Sequence, residues 1–374
     1  MRQKVCLIYS WENFKLSFLE KDVGLFPYFF AKSSGLKLEC IIFDSLGINQ
    51  TISNGDLYNS KNYLQFIKDC ILNNISKLME VKYFILFHMS LRTSLLSFLL
   101  KIINPSAKII VKTDLSISNV NDLSNIRKRN FIKYYLMSFL NRTVDAFCIE
   151  TTQSIELLLS KHNHLIEKNK VYHVPNGITQ DDFLLKECIE KDINSICIIT
   201  RDDSPLKGVD RIASLLVLLD QALAKCNSTA TIRIVGPLSS ITCKNIINLV
   251  GEVSTLDVHF LGSLSKSETL KILLKSHLFV NLSIEESYCF ALIEAALANC
   301  HIITTPVGVA NDLSKNYQRI DILKYNENHF VSNILNGFNR PCPSEDFLCL
   351  FNDRIYDWER IVDDFYNKLS RSVK

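Results

Sequence analysis

The chain has 374 residues, 47% of them hydrophobic and 22% charged, with a formal net charge of +3. That length exceeds one ordinary core, so two domains are expected, and the composition excludes a disordered chain. The small net charge excludes the strongly basic balance of a nucleic-acid binder.

In chain order, Met1-Arg2-Gln3-Lys4 runs directly into the apolar stretch 5–9, which reads as a first buried strand with no export signal. A cytoplasmic setting is therefore expected. The 12 cysteines are scattered singly and never spaced C-x-x-C. They read as small buried hydrophobes rather than a disulfide framework or a zinc site. No run of about 18 apolar residues is present to span a membrane. Residues 83–91 and 95–103 come nearest and are broken by His88, Arg92 and Lys101.

Short β-rich apolar runs recur at 38–43, 83–87, 108–111, 146–149, 171–174, 195–199, 231–235, 258–261, 278–281 and 300–304. Between them, stretches such as 63–79, 210–225 and 266–275 carry helical periodicity. The alternation predicts an α/β protein with parallel sheets covered by helices on both faces. Eleven short strands, counting 5–9, are too many for one doubly wound sheet of the usual size. The break falls after Val174-Pro175-Asn176-Gly177, a strand end followed by turn residues. The expected domains are 1–178 and 195–355, joined by the polar segment 179–194 and followed by a terminal segment 356–374.

Two stretches of the first half call for a reading of their own. Residues 126–142 are basic and aromatic at helical spacing, with Arg127, Lys128, Arg129, Lys133 and Arg142 among Phe131, Tyr134, Tyr135 and Phe139. One reading lays them on an anionic membrane surface as a peripheral contact. The other makes them a domain helix with a buried apolar face and solvated cations. His162-Asn163-His164 is too short and isolated for a metal site and reads as a solvated loop.

The 11 glycines are dispersed and no G-x-G occurs, so neither a dinucleotide fingerprint nor a P-loop is expected. A phosphate must be held another way, and three features of the second half converge on a diphosphate. The first is Arg201 and Lys207, with Gly208 as a turn, in the loop leaving the strand 195–199. Ligands of parallel sheets sit outside the carboxyl ends of strands, where an arginine fork and a lysine point charge can clamp two phosphates. The second is Glu285-Glu286-Ser287-Tyr288-Cys289-Phe290, running into an Ala/Leu-rich helix that carries Glu294 and stops at Asn299. Its start near 287–290 offers unpaired N–H groups as an anion seat. If helical throughout, Glu286 and Glu294 stand roughly 12 Å apart. The third is the turn Thr304-Thr305-Pro306-Val307-Gly308, on the same edge. Taken singly, each also reads as solvated loop charges, a capping charge or an ordinary turn.

The succession Val174-Pro175-Asn176-Gly177, Arg201…Lys207-Gly208, Arg233-Ile234-Val235-Gly236, Val258-His259-Phe260-Leu261-Gly262, Glu286-x7-Glu294-Ala295 and Pro306-Val307-Gly308 resembles the retaining family 4 glycosyltransferases over residues 172–313. The closing Tyr356-Asp357-Trp358-Glu359-Arg360-Ile361 resembles that family's terminal helix, which crosses back to the first domain. The resemblance implies a GT-B fold, two Rossmann-like domains facing each other across a cleft. It implies that Arg201 and Lys207 bind the donor diphosphate, Glu286 the transferred sugar and Glu294 the ribose. Backbone around Ser287, Tyr288, Cys289 and Phe290 faces sugar and phosphate, and the turn from Gly262 to Leu264 lies near the base. Glu286, Lys207 and Arg201 are thereby the catalytic set, with the two cations in place of a metal ion and no cofactor.

The chain departs from the pattern in several places. Ser287, Cys289 and Asn299 stand where the family often has glycine. The family's Gly-Gly loop after the first strand is missing, and residues 21–27 around Gly24 are the candidate substitute. Where the family often places a histidine after the fifth strand, the chain reads Val111-Lys112-Thr113-Asp114. Lys112 and Asp114 are therefore the acceptor-side candidates. The implied activity is sugar transfer, with retention, from a nucleotide-diphospho-sugar to a glycan or lipid-linked acceptor in bacterial surface-polysaccharide synthesis. A non-catalytic sugar-nucleotide binder, an inactive companion of another transferase and a sugar-nucleotide epimerase are the alternatives.

Overall fold

The computed structural model describes residues 3–11, 18–44, 55–59, 63–179, 190–201, 203–251, 255–341 and 355–371. The chain divides into two compact units, one of Met1–Ile178 with Ile355–Lys374, the other of Thr179–Arg354. Of the joining segment read at 179–194, residues 180–189 lie outside the described residues.

The first unit holds β1 (Lys4–Tyr9), α1 (Asp22–Ser34), β2 (Lys37–Asp44), β3 (Gly55–Asn59), α2 (Tyr63–Met79), β4 (Val81–Phe87), α3 (Leu91–Ile103), β5 (Lys108–Thr113), α4 (Ile117–Arg129), α5 (Phe131–Asn141), β6 (Ala146–Ile149), α6 (Thr152–His162) and β7 (Val171–His173). Its strands are all parallel, in the order β3-β2-β1-β4-β5-β6-β7. Side chains of a strand alternate between faces, so each central strand feeds two cores. Cys6 and Ile8 of β1, with Phe84 and Leu86 of β4, pack under α2 to α6. Val5, Leu7 and Tyr9, with Tyr83, Ile85 and Phe87, pack on the other face under α1 and the C-terminal helix Trp358–Arg371. That last helix buries Trp358, Ile361, Val362, Phe365 and Leu369, a 3.6-residue stripe. The Phe365 ring lies 5.9 Å from those of both Phe26 and Phe30 of α1.

The second unit holds β8 (Asp192–Ile199), α7 (Val209–Lys225), β9 (Ala230–Val235), α8 (Ser240–Val250), β10 (Leu256–Gly262), α9 (Lys266–Lys275), β11 (Ser276–Asn281), α10 (Phe290–Leu297), β12 (His301–Thr304), α11 (Ala310–Leu313), β13 (Ile320–Ile322) and α12 (Glu327–Phe338). Its parallel sheet runs β10-β9-β8-β11-β12-β13. In α7, Ile212, Leu215, Leu216, Leu219 and Leu223 are buried on the sheet. In each sheet the strand order reverses once, beside β1 in the first and β8 in the second. Loops leaving the two strands at such a point diverge and leave a crevice at their carboxyl ends.

Three local expectations are corrected. Two strands were not anticipated, β3 (Gly-Asp-Leu-Tyr-Asn) and β13 (Ile-Asp-Ile). Both are edge strands too short or too polar to make an apolar run. The stretch 126–142 is not one helix, because Asn130 (φ −145°, ψ 74°) ends α4 and caps α5, its side chain accepting from the Lys133 N–H at 2.9 Å. His162 is not in a solvated loop. It is buried as the last residue of α6, and its Nδ1 lies 2.8 Å from the Tyr134 hydroxyl, which also meets His164 Nε2 at 2.7 Å.

Trp358 is fully buried against the first unit. Trp358→Ala is expected to destabilise that unit by about 3–5 kcal/mol, the usual cost of emptying such a site. Urea unfolding of the purified variant measures it.

Candidate functional site

At the order reversal of the second sheet, β8 is followed by Thr200, whose N–H donates to the Val235 carbonyl at 2.8 Å. Next to it the Gly236 N–H donates to the Gly262 carbonyl at 2.8 Å. The ends of β8, β9 and β10 are thus stitched into one edge, with Arg201 exposed upon it and Gly262 and Leu264 half-buried at its far side. The chain then makes a 3-10 turn, Pro205–Lys207, opened by the Ser204 hydroxyl accepting from the Leu206 N–H. Gly208 ends it at φ 69°, and a Cβ there would lie 2.1 Å from the Leu282 carbonyl oxygen, so only glycine fits.

That close approach ties the loop after β8 to the loop after β11. The Leu206 carbonyl accepts from Ile284 N–H at 2.8 Å and from Glu285 N–H at 3.3 Å. Lys207 Nζ then sits 2.6 Å from Glu286 Oε2, with both side chains largely buried. The Ser283 hydroxyl lies 3.0 Å from Glu286 Oε1 and 3.0 Å from Asn281 Oδ1. Asn281 in turn donates to Thr304 Oγ1 at 3.0 Å. Glu286 is therefore held by a lysine on one side and a buried polar chain, rooted in β11 and β12, on the other.

Helix α10 begins at Phe290, so Glu286 lies in the loop before it and the helical rise does not set its distance from Glu294. The expected spacing of a single helix is corrected accordingly. Cys289 takes the left-handed conformation (φ 68°) that glycine commonly occupies, and no side chain caps the helix. The loop after β12 seats this turn, with Val309 N–H donating to the Tyr288 carbonyl at 2.7 Å. Tyr288 is buried, and Ser287, Phe290 and Glu294 are half-buried. Burial pushes the Cys289 thiol well up, the Glu286 and Glu294 charges add to the effect and Lys207 opposes it. A thiol so raised is protonated at neutral pH and is no nucleophile. Asn299 ends the helix at φ 56°, with Cys300 N–H donating back to the Ala295 carbonyl, as its position predicts.

In the first unit the acceptor-side candidates separate. Gly24 lies in the first turn of α1, where a Cβ would meet the Leu19 carbonyl oxygen at 2.0 Å. It serves a close packing of chain on chain. Lys112 is fully buried and points inward, 3.1 Å from Glu150 Oε1, which also accepts from Asn176 Nδ2 at 2.8 Å. Burial raises the Glu150 carboxyl to about 7; Lys112 opposes the rise, and Asp22 and Asp114 add to it. Lys112 is an internal counter-ion rather than a group offered to a ligand.

Asp114 is exposed, and its Oδ1 lies 2.6 Å from His88 Nδ1. His88 leaves β4 in a left-handed conformation (φ 62°), with its N–H donating to the Lys112 carbonyl and the Trp11 ring edge-on at 4.8 Å. Burial alone lowers the imidazole's pKa, but the Asp114 hydrogen bond and charge, with Asp22 and Glu150 behind, outweigh it and raise it above 6.5. Burial pushes the Asp114 carboxyl up and the His88 contact pulls it down further, leaving it below its ordinary value. Sequence reasoning missed His88, treating it as a break in an apolar run. Its place at the carboxyl end of the predicted strand 83–87 was the signal available.

Residues 189–335 match the family model of glycosyl transferases group 1. That match lies within the second unit. One subunit of the human phosphatidylinositol N-acetylglucosaminyltransferase is 25% identical over 200 residues, which are 53% of this chain and 38% of that protein. The chain thus spans well under half of that relative's length. Among solved structures, the lipopolysaccharide outer core galactosyltransferase WaaB in its apo form superposes with a TM-score of 0.67, 12% identity and full coverage of both chains. An E. coli trehalose-6-phosphate enzyme bound with UDP-2-fluoro glucose gives 0.68 at 10% identity, covering 98% of this chain and 99% of that one. The fold is the GT-B fold of these glycosyltransferases.

The His88 charge contributes stability that is complete below its unfolded value of about 6.5 and is lost as pH rises through the higher folded value. Asp114→Asn removes the largest raising contact, so the imidazole is expected to titrate at lower pH in the variant. The His88 ring-proton shift followed by NMR from pH 5 to 9 reports both values.

Proposed function

We propose that this chain is a retaining, metal-independent glycosyltransferase that moves a sugar from a nucleotide-diphospho-sugar to a glycan or lipid-linked acceptor. The observation that carries the reading is the Lys207–Glu286 pair, held at 2.6 Å where the second sheet reverses its order and one turn before an uncapped helix start. An extended anion laid along that edge meets Arg201, Lys207 and the amides before α10. The sugar beyond the second phosphate meets Glu286, and Glu294 takes the ribose. The base lies toward Gly262 and Leu264, on the far side of the same edge. The UDP-sugar analogue in the structurally similar E. coli enzyme supports a donor of this class.

In the reaction the bond between the anomeric carbon and the diphosphate oxygen breaks, and the acceptor oxygen bonds to that carbon from the same face. The acceptor proton leaves with the diphosphate. Negative charge grows on the departing phosphate, which Lys207, Arg201 and the helix start would stabilise. Fixed charges and dipoles of this kind stabilise the transition state without reorganising. Glu286, pinned by Lys207 and Ser283, orients the sugar as positive charge develops at its ring. On the first unit, the exposed Asp114 and its partner His88 are the acceptor-side groups, and Lys112 is not. The galactosyltransferase likeness fits assembly of a cell-surface polysaccharide in the cytoplasm.

Lys207→Ala and Glu286→Ala are each expected to lower transfer by at least about 10²-fold while the fold persists. Circular dichroism checks the fold, and a chelator is expected to leave wild-type turnover unchanged. Without acceptor the enzyme should slowly release nucleoside diphosphate, whereas a non-catalytic binder releases none. Wild-type-like rates in either variant would falsify the assignment.

A further inference from the structure

Helix α5 of the first unit is apolar on both sides. Tyr134, Met137, Leu140 and Asn141 face inward and are buried. Phe131, Ile132, Tyr135, Leu136 and Phe139 form the opposite face at i, i+1, i+4, i+5 and i+8, the first two and Phe139 more than half exposed. Five of the large exposed hydrophobics among the described residues thus stand on one 11-residue helix. A contiguous outward face of this kind marks an interaction surface rather than the scattered exposure of an ordinary helix.

Its rim identifies the partner. Arg127, Lys128 and Arg129 form the last turn of α4, and Asn130 joins that turn directly to Phe131. Lys133 and Arg142 complete the border, and residues 123–144 contain no aspartate or glutamate. Two cations lie against the helix's own rings. The Arg142 guanidinium is 6.0 Å from the Phe139 ring centre, and Arg127 donates to the Tyr135 hydroxyl at 3.5 Å. Rings that enter a membrane to the acyl boundary, bordered by cations at headgroup height, match an anionic bilayer. A protein partner's apolar groove would leave five unopposed cations at its edge.

We infer that α5 seats the chain on the surface of an anionic phospholipid bilayer, with Phe131, Ile132, Tyr135, Leu136 and Phe139 inserted and Arg127, Lys128, Arg129, Lys133 and Arg142 on the headgroups. Two anchors hold the helix at a fixed angle to the sheet. The Tyr134 hydroxyl bridges His162 and His164, and the Ser138 hydroxyl donates to the His164 carbonyl at 2.5 Å. The docking face is therefore rigid, and insertion needs no unfolding of the unit. No helix among the described residues is long and apolar enough to cross a membrane, so this contact is peripheral.

The test is co-sedimentation of the full chain with vesicles, without donor or acceptor, so that its outcome is independent of the proposed transfer. Vesicles of phosphatidylglycerol and phosphatidylcholine should retain the protein at low salt, and pure phosphatidylcholine should retain much less. Lys128→Glu is expected to weaken retention at least about fivefold, the effect of one headgroup cation. The double variant Phe131→Ser with Phe139→Ser should weaken it at least about tenfold, with an unchanged circular dichroism spectrum and unchanged acceptor-free release of nucleoside diphosphate. Absence of retention at low salt, equal retention by the double variant, or a concentration-dependent dimer that disappears in the double variant overturns the inference.

Discussion

One carbonyl oxygen organises the second unit's site. Leu206 accepts from the amides of Ile284 and Glu285 and so fastens the loop leaving β8 to the loop leaving β11. Without that clip, Lys207 and Glu286 are two long side chains on separate loops, each with about 2 kcal/mol of rotamer entropy to lose on pairing. With it, the backbones are fixed first and the side chains meet at 2.6 Å. Gly208 makes the clip possible because any Cβ would strike the Leu282 carbonyl. The proposed handling of a leaving diphosphate depends on this, since fixed charges act only when they are already in place.

The first unit places charge at the carboxyl ends of its strands in a different way. Lys112, Glu150 and Asn176 form a buried layer at the ends of β5, β6 and the segment after β7. Removing either ion alone would leave its partner's charge buried and unpaired, so the layer acts as a unit. Above it, His88 and Asp114 reach the surface, and their pKa shifts in opposite directions record one shared contact. The buried charges also act outward: Glu150 contributes to raising the imidazole. A lysine that reads in sequence as a ligand group is thus part of the platform on which the exposed pair stands.

The family match falls on residues 189–335, almost wholly the second unit. The candidate residues there stand mostly on loops that leave neighbouring strands, so each is local and ordered along the chain. In the first unit the groups that come together, Asp22, His88, Asp114, Glu150 and Asn176, leave different elements and are separated by long stretches. Nothing local marks them as a set.

From sequence alone, the alternation of short apolar runs with helical stretches determined the α/β class and parallel sheets, because each strand's period and each helix's period are local properties. Arg201, Lys207 and Glu286 could be singled out as candidates for the same reason, each standing in a loop that leaves a recognisable strand, whereas Glu294 lies within α10. The edge strands β3 and β13 escaped because they are short and polar. Tertiary structure alone decided that Lys112 turns inward, that His88 pairs with Asp114, and that Glu286 stands before its helix rather than on it. Those outcomes depend on which strands adjoin and where a loop is tied. Such choices balance burial against charge across residues distant in the chain, and no window of sequence contains that balance.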